Sequence, residues 1–249
     1  MTMSRAEDWN RNFIFDGLTK LLYSPEIKPG AKEKIELIAE FMEENPEFSF
    51  VLYFNHISFN DPAVVINVAD RLDPKRKKHL VTMMSYSHTD PTDPKHRVFS
   101  FMARGLEKCG VEGIRVIQKY QVNNPEYGYT EEQASLNYMQ SMRRIKGMRG
   151  TPTGVIISPE GTRSKTGTLA KGESGMVAIG RVLAPVIYIP LAISYEGKYN
   201  RDSINFFKKM EINIGEVTVQ ENPTEYPKVD ELMQKLATAL PEEMRGIWR

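Results

Sequence analysis

FSFVLYFNHISFNDPAVVINVADRL, residues 48–72, decides the fold. It opens on a continuous apolar run of strand length, FSFVLYF. Such a run suits a strand buried on both faces, as in a parallel sheet. It closes on PAVVINVADRL, which reads as a buried helix. Between them the apolar strand stops at Asn55-His56, and a carboxylate, Asp61, follows just before Pro62.

The same alternation continues outward. Pro29-Gly30 marks a turn, and Ile35, Ile38 and Met42 line one face of a helix over 31–45. HLVTMMSYS (79–87), GIRVIQK (113–119), GVIIS (154–158) and VIYIPLAIS (186–194) are further strands, with helical patterns over 95–108, 130–148 and 172–183. This order predicts an α/β protein with a mixed, mainly parallel sheet flanked by helices. EINIGEVTV (211–219) predicts a strand or hairpin. Leu232, Met233, Leu236 and Leu240 predict a closing amphipathic helix. No repeat, low-complexity tract or linker divides the chain. A single domain is expected over 1–249, with an N-terminal helical extension over 1–47 and an α/β core over 48–249.

Composition sets limits. The chain has 249 residues, 41% of them hydrophobic, enough for a sizeable core. Lys plus Arg is 33 and Asp plus Glu is 32, so charge does not point to nucleic acid. The one cysteine, Cys109, excludes an internal disulfide, fits a reducing compartment and reads as a small buried residue. MTMSRAEDWNRN has no apolar signal-peptide core. The longest uncharged apolar run, 182–195, contains two prolines and falls short of the ~20 residues a spanning helix needs. The expected location is the cytoplasm, or the periphery of a membrane on its cytosolic face. WNRNFIFDGLTKLLY (9–23) has helical spacing that suits a membrane interface or, more simply, the protein's own core.

Asp61 before Pro62 suits a helix N-cap, a purely structural role. That role leaves His56 unexplained. A histidine just past the C-terminal end of a parallel strand sits where open α/β sheets usually hold ligands. A short turn would let Asp61 hold one ring nitrogen while the other takes a substrate proton.

GVIISPEGTRSKTG (154–167) ends a second apolar strand in a glycine turn. Backbone N–H groups of such a turn can face an anion, and Arg163 offers a planar fork for phosphate. A phosphate-binding P-loop is absent, because Gly167 is followed by Thr168-Leu169 rather than by Lys and Ser or Thr. GESG (172–175) lacks the spacing of a serine nucleophile elbow.

NHISFND followed at 159–164 by PEGTRS resembles the glycerolipid acyltransferases, the glycerol-3-phosphate and 1-acylglycerol-3-phosphate acyltransferases and their relatives. The resemblance spans residues 50–195. It implies that His56 is the catalytic base and Asp61 its partner. It implies that Glu160, Gly161, Thr162 and Arg163 bind the acyl acceptor, with Asn55 and Ser58 as further site residues. GIRVIQK is similar to the family's phosphate-contacting block, with Lys119 where relatives carry arginine. Lysine keeps the charge and loses the bidentate fork. Arg115 is an alternative on the same strand face, by alternation through 115, 117 and 119. Lys171 in KGESGM resembles a family segment that adds positive charge. Pro190 matches the proline of an apolar fourth block, and Ser158 stands where phenylalanine is usual.

The implied reaction moves a fatty acyl group from acyl-CoA or acyl carrier protein to a hydroxyl of glycerol-3-phosphate or lysophosphatidic acid. It needs no cofactor beyond the acyl donor. The resemblance does not assign the oxyanion donors; backbone groups near Gly161 are one candidate. The alternatives are a thioesterase or lipase-like hydrolase on the same His-Asp pair, and a non-catalytic lipid- or phosphate-binding protein. SYSHTDPTDPKH (85–96) holds His88, Asp90, Asp93 and His96, but its Asp-Pro pairs make it a loop and its spacing fits no metal motif. No metal is expected. The basic runs 74–79 and 143–149 read as solvated surface, or as attraction for anionic lipid if they share a face.

Overall fold

The computed structural model describes residues 25–75, 78–86, 104, 106, 107, 110–197 and 209–249. The expected helix over 9–23, most of the 85–96 loop and of the 95–108 helix, Arg76, Lys77 and Cys109 lie outside them.

At the centre of the sheet runs β2 (Ser49–Phe54), with all six residues buried. It pairs in parallel with β5 (Thr153–Ile157) on one side and β6 (Val186–Tyr195) on the other. Beyond β5 lie β3 (His79–Ser85) and then β4 (Val111–Val116). Beyond β6 lie β7 (Met210–Ile214) and β1 (Pro25–Ile27). A short β8 (Thr218–Gln220) pairs with the start of β6. Only β7 and β8 run antiparallel to their neighbour β6; the other described pairings are parallel. The fold is α/β, as the alternation of patterns predicts.

Side chains of β2 alternate between two apolar layers, which is why its sequence is apolar throughout. Phe50, Leu52 and Phe54 join one layer with helices α1 (Pro29–Glu44) and α2 (Asp61–Leu72). Val51 and Tyr53 join the other with Ile145 of α3 (Glu131–Lys146), Met176 and Ile179 of α4 (Gly175–Leu183), and Leu232 and Leu236 of α5 (Val229–Ala239). Residues 25–44, read as part of an extension, share this sheet and core. β1 pairs with β7, and Ala31, Ile35, Ile38 and Met42 are buried.

Two expectations need correction. The 211–219 segment is neither one strand nor a hairpin. It forms β7 and β8, each paired with β6. Pro190 lies between the two pairings and has no N–H to give. Its carbonyl accepts from the Gly215 N–H at 2.9 Å, and the neighbouring strand breaks there. Likewise, β4 ends at Val116 and Lys119 opens a 3-10 turn, Lys119–Gln121. Strand alternation therefore does not reach Lys119. The edge of β4 is covered by the Asn137 amide, which accepts from Ile117 N–H at 2.8 Å and donates to the Arg115 carbonyl at 3.1 Å. Among the described residues no helix is long and apolar enough to cross a membrane.

Candidate active site

The main-chain ladder between β2 and β6 ends at Phe54 and Leu191. The buried Asn55 side chain then supplies one more rung. Its Nδ2 donates to the Ile193 carbonyl, and its Oδ1 accepts from the Ile193 N–H, both at 2.8 Å. A side-chain amide has the donor and acceptor of a peptide group, so the backbone is free to turn away. The turn delivers His56 just beyond the strand end.

Asp61 is the first residue of α2, with Asn60 preceding the helix and Pro62 in its first turn. Its carboxylate does not cap that helix; it turns back into the 56–58 loop. Oδ2 accepts from the Ile57 N–H at 2.6 Å, the Ser58 N–H at 2.8 Å and the His56 ring at Nδ1 at 2.9 Å. Oδ1 accepts from the Tyr195 hydroxyl at 2.6 Å. A carboxylate only accepts, so His56 Nδ1 carries a proton, and the neutral ring keeps its lone pair on Nε2. Asp61 is fully buried, whereas the His56 side chain is 22% exposed. Phe54 meets the imidazole edge-on at 5.7 Å between ring centres.

The loop after β5 is bound to this turn. Ser164 N–H donates to the His56 carbonyl at 2.7 Å. Both oxygens of the buried Glu160 are taken by backbone groups, the His56 N–H at 3.1 Å and the Ala170 N–H at 2.9 Å. The chain thus uses Glu160 to tie the histidine turn to the 168–170 loop. Gly161 adopts φ 68°, which the turn requires of it. Its N–H already donates to the Ser158 carbonyl at 3.2 Å, so this group is committed to the turn rather than poised as an oxyanion donor. Thr162 is half-buried on the same turn. Arg163 places its guanidinium carbon over the Phe59 ring, 3.7 Å from the ring centre, beside the histidine turn. Ser158 Oγ is buried and has no hydrogen-bond partner among the described residues.

Lys119 reaches the loop through Glu173. Its ammonium donates to Glu173 Oε2 at 2.6 Å, and the Glu173 N–H donates to the Pro159 carbonyl at 2.8 Å. Lys119 is 83% exposed, so this pair contributes little to stability. Lys171 is exposed beside Ala170. Arg115 is exposed on edge strand β4, separated from β2 by β5 and β3. The fold therefore gathers Asn55, His56, Ser58, Asp61, Glu160, Gly161 and Arg163 closely, brings Lys119 to the loop's outer side, and leaves Arg115 apart.

Sequence reasoning misses three groups here: Tyr195, Phe59 and the C-terminal segment. Leu169 N–H donates to the Met244 carbonyl at 2.8 Å, and Trp248 Nε1 donates to the Ala170 carbonyl at 2.9 Å. Gly246 (φ 60°) passes so close to the Leu169 carbonyl that a Cβ would collide with it. The 240–248 stretch thereby straps down the loop that holds Glu160.

The carboxyl of Glu160 is pushed up from 4.5 to about 7. Burial is the main cause. The N–H groups of Ala170 and His56 oppose the rise, and Asp61 adds to it. The folded chain holds this proton more tightly than the unfolded one. The associated stability is full below about pH 4.5 and is lost as pH rises through about 7. A displacement of that size corresponds to roughly 3 kcal/mol. Glu160→Gln removes this dependence and loses one acceptor at every pH. Between pH 5 and pH 8 the stability difference should move in favour of the variant by up to roughly 3 kcal/mol in urea unfolding. Parallel pH curves for the two proteins would show that Glu160 does not titrate in this way.

No protein-family model matches the chain, and no curated protein matches it significantly.

Proposed function

We propose that the protein is an acyltransferase that moves a fatty acyl group from a thioester donor to a hydroxyl of a phosphorylated glycerol acceptor. The observation that carries this reading is the dyad. A buried, four-fold hydrogen-bonded carboxylate holds one nitrogen of a partly exposed imidazole at the C-terminal end of the central strand. The order of NHISFND and PEGTRS, similar to that of glycerolipid acyltransferases, supports it further.

In this mechanism His56 Nε2 takes the proton of the acceptor hydroxyl as its oxygen attacks the thioester carbonyl carbon. Asp61 holds the tautomer and stabilises the imidazolium. The tetrahedral intermediate collapses with cleavage of the C–S bond, and the leaving thiolate receives the proton. Such a positioned base typically contributes about 10²–10⁴-fold. Arg163, placed over the Phe59 ring, binds the acceptor's phosphate and so orients its hydroxyl. Glu160 acts through the turn it pins, since both its oxygens are engaged by backbone. A lysophospholipid acceptor would be drawn from a bilayer, with the protein peripheral on its cytosolic face.

The direct test incubates purified protein with a long-chain acyl-CoA or acyl carrier protein, with and without glycerol-3-phosphate or lysophosphatidate, and follows thiol release. Release that depends on one acceptor supports the transferase and identifies its acceptor. Release without either favours a hydrolase on the same dyad. Binding without release favours a non-catalytic lipid- or phosphate-binding protein. Arg163→Ala should raise the acceptor KM by roughly tenfold or more, a loss typical of one charge-assisted contact, and leave the donor KM nearly unchanged. Equal effects on both substrates would remove Arg163 from the phosphate site.

A further inference from the structure

β6 runs past the end of β2. Its last four residues are held by β7 and by the Asn55 amide, and it ends on Tyr195. That overhang brings the Tyr195 hydroxyl above the start of α2. The hydroxyl lies 2.6 Å from Asp61 Oδ1 and 2.9 Å from Ser58 Oγ, and Ser58 Oγ accepts from the Asn60 N–H at 2.9 Å. Proton counting sets the direction of this chain. Asp61 only accepts, so the single phenolic proton of Tyr195 is given to Oδ1. The Ser58 hydroxyl must then donate to the Tyr195 oxygen. The result is a one-way relay from Asn60 N–H through Ser58 and Tyr195 to the carboxylate.

We propose that Tyr195 is a positioning residue that sets the basicity of His56 by drawing charge from the far oxygen of Asp61. A donor on Oδ1 weakens the carboxylate as a partner for the imidazolium, because charge shared with Tyr195 is not available to the ring. It also keeps the dyad proton on His56 Nδ1, since a carboxylate accepting three other hydrogen bonds is a poor site for it. Among the described residues the titratable or charged groups around the dyad are Asp61 on α2, Tyr195 on β6, and Glu160 and Arg163 on the loop after β5. Among the described residues, Tyr195 alone donates to Oδ1. The inference rests on the dyad reading for its catalytic consequence, and on geometry alone for its effect on His56.

Tyr195→Phe keeps the ring and removes only the hydroxyl. The test is an NMR titration of the His56 ring, assigned by comparison with His56→Ala among the four histidines. The pKa of His56 should rise by about 0.5 to 1 in Tyr195→Phe, and the acidic limb of kcat/KM for thiol release should move up with it. Ser58→Ala, which removes the donor to Tyr195, should give a smaller rise in the same direction. Folding is checked by circular dichroism, and if Tyr195→Phe fails to fold, Ser58→Ala carries the test. An unshifted His56 titration in folded variants overturns the role of Tyr195, whatever the activity. A shifted titration in a protein that transfers no acyl group supports Tyr195 and counts against the proposed function alone.

Discussion

His56→Ala should lower kcat for acyl transfer by about 10²–10⁴-fold while the protein still binds its acceptor. The ring is partly exposed and makes one strong contact, with Asp61 Oδ2. Removing it leaves that oxygen with two backbone donors, from Ile57 and Ser58, so the buried carboxylate stays satisfied. The backbone contacts of His56, to Glu160 and from Ser164, do not need the side chain. The variant should therefore fold, with a stability change of about 1 kcal/mol, and lose the chemical step selectively. Single-turnover thiol release with acceptor binding measured in parallel separates these effects. Unchanged turnover would mean that another group is the base.

Asp61 should show the largest effects on stability, and the size depends on the replacement. Asp61→Ala strands the buried N–H groups of Ile57 and Ser58 and removes the acceptor of the ring N–H and of the Tyr195 hydroxyl. The expected loss is roughly 3–5 kcal/mol in urea unfolding. Asp61→Asn is milder. Its oxygen can take the three N–H donors at the Oδ2 position. Its amide then faces Tyr195, whose hydroxyl can turn its proton toward Ser58 and accept. That rearrangement costs about 1–2 kcal/mol. Yet the asparagine bears no charge to stabilise the imidazolium, so kcat should still fall by roughly 10²-fold or more. Equal losses for Ala and Asn would show that the amide cannot replace the carboxylate, and a negligible loss for Ala would show that the four donors do not depend on it.

The sheet was legible because β2 is apolar on both faces, and because strands and helices differ in period. The join between β6, β7 and β8 was not, since the sequence around Pro190 does not say which edge loses a donor. At the site, the His56–Asp61 pair was legible from residue type and position. The N-cap reading of Asp61 failed because local spacing cannot show that the loop N–H groups of Ile57 and Ser58 need the carboxylate more than the helix does. Tyr195 was hidden for a related reason. It closes an apolar strand and reads as core, and its partner Asp61 lies 134 residues earlier. Alternation along Leu191, Ile193 and Tyr195 assigns it a face, and only the overhang of β6 turns that face toward α2. Glu160 carries the same lesson: the resemblance implies a contact with the acceptor, and the sequence does not show that burial and two backbone donors engage both its oxygens.

The adjacency of β6, β2 and β5 has a consequence for how the chain is made. Asn55 waits for Ile193, 138 residues later, and the His56 N–H waits for Glu160, 104 residues later. A ribosome adds about 5–20 residues per second, so β2 emerges on the order of ten seconds before both its neighbours exist. Through that interval the growing chain carries an apolar strand with two bare edges, the kind of segment that invites chaperones or aggregation. Activity should be the last property a nascent or refolding molecule acquires, because no local fragment of the chain contains the site.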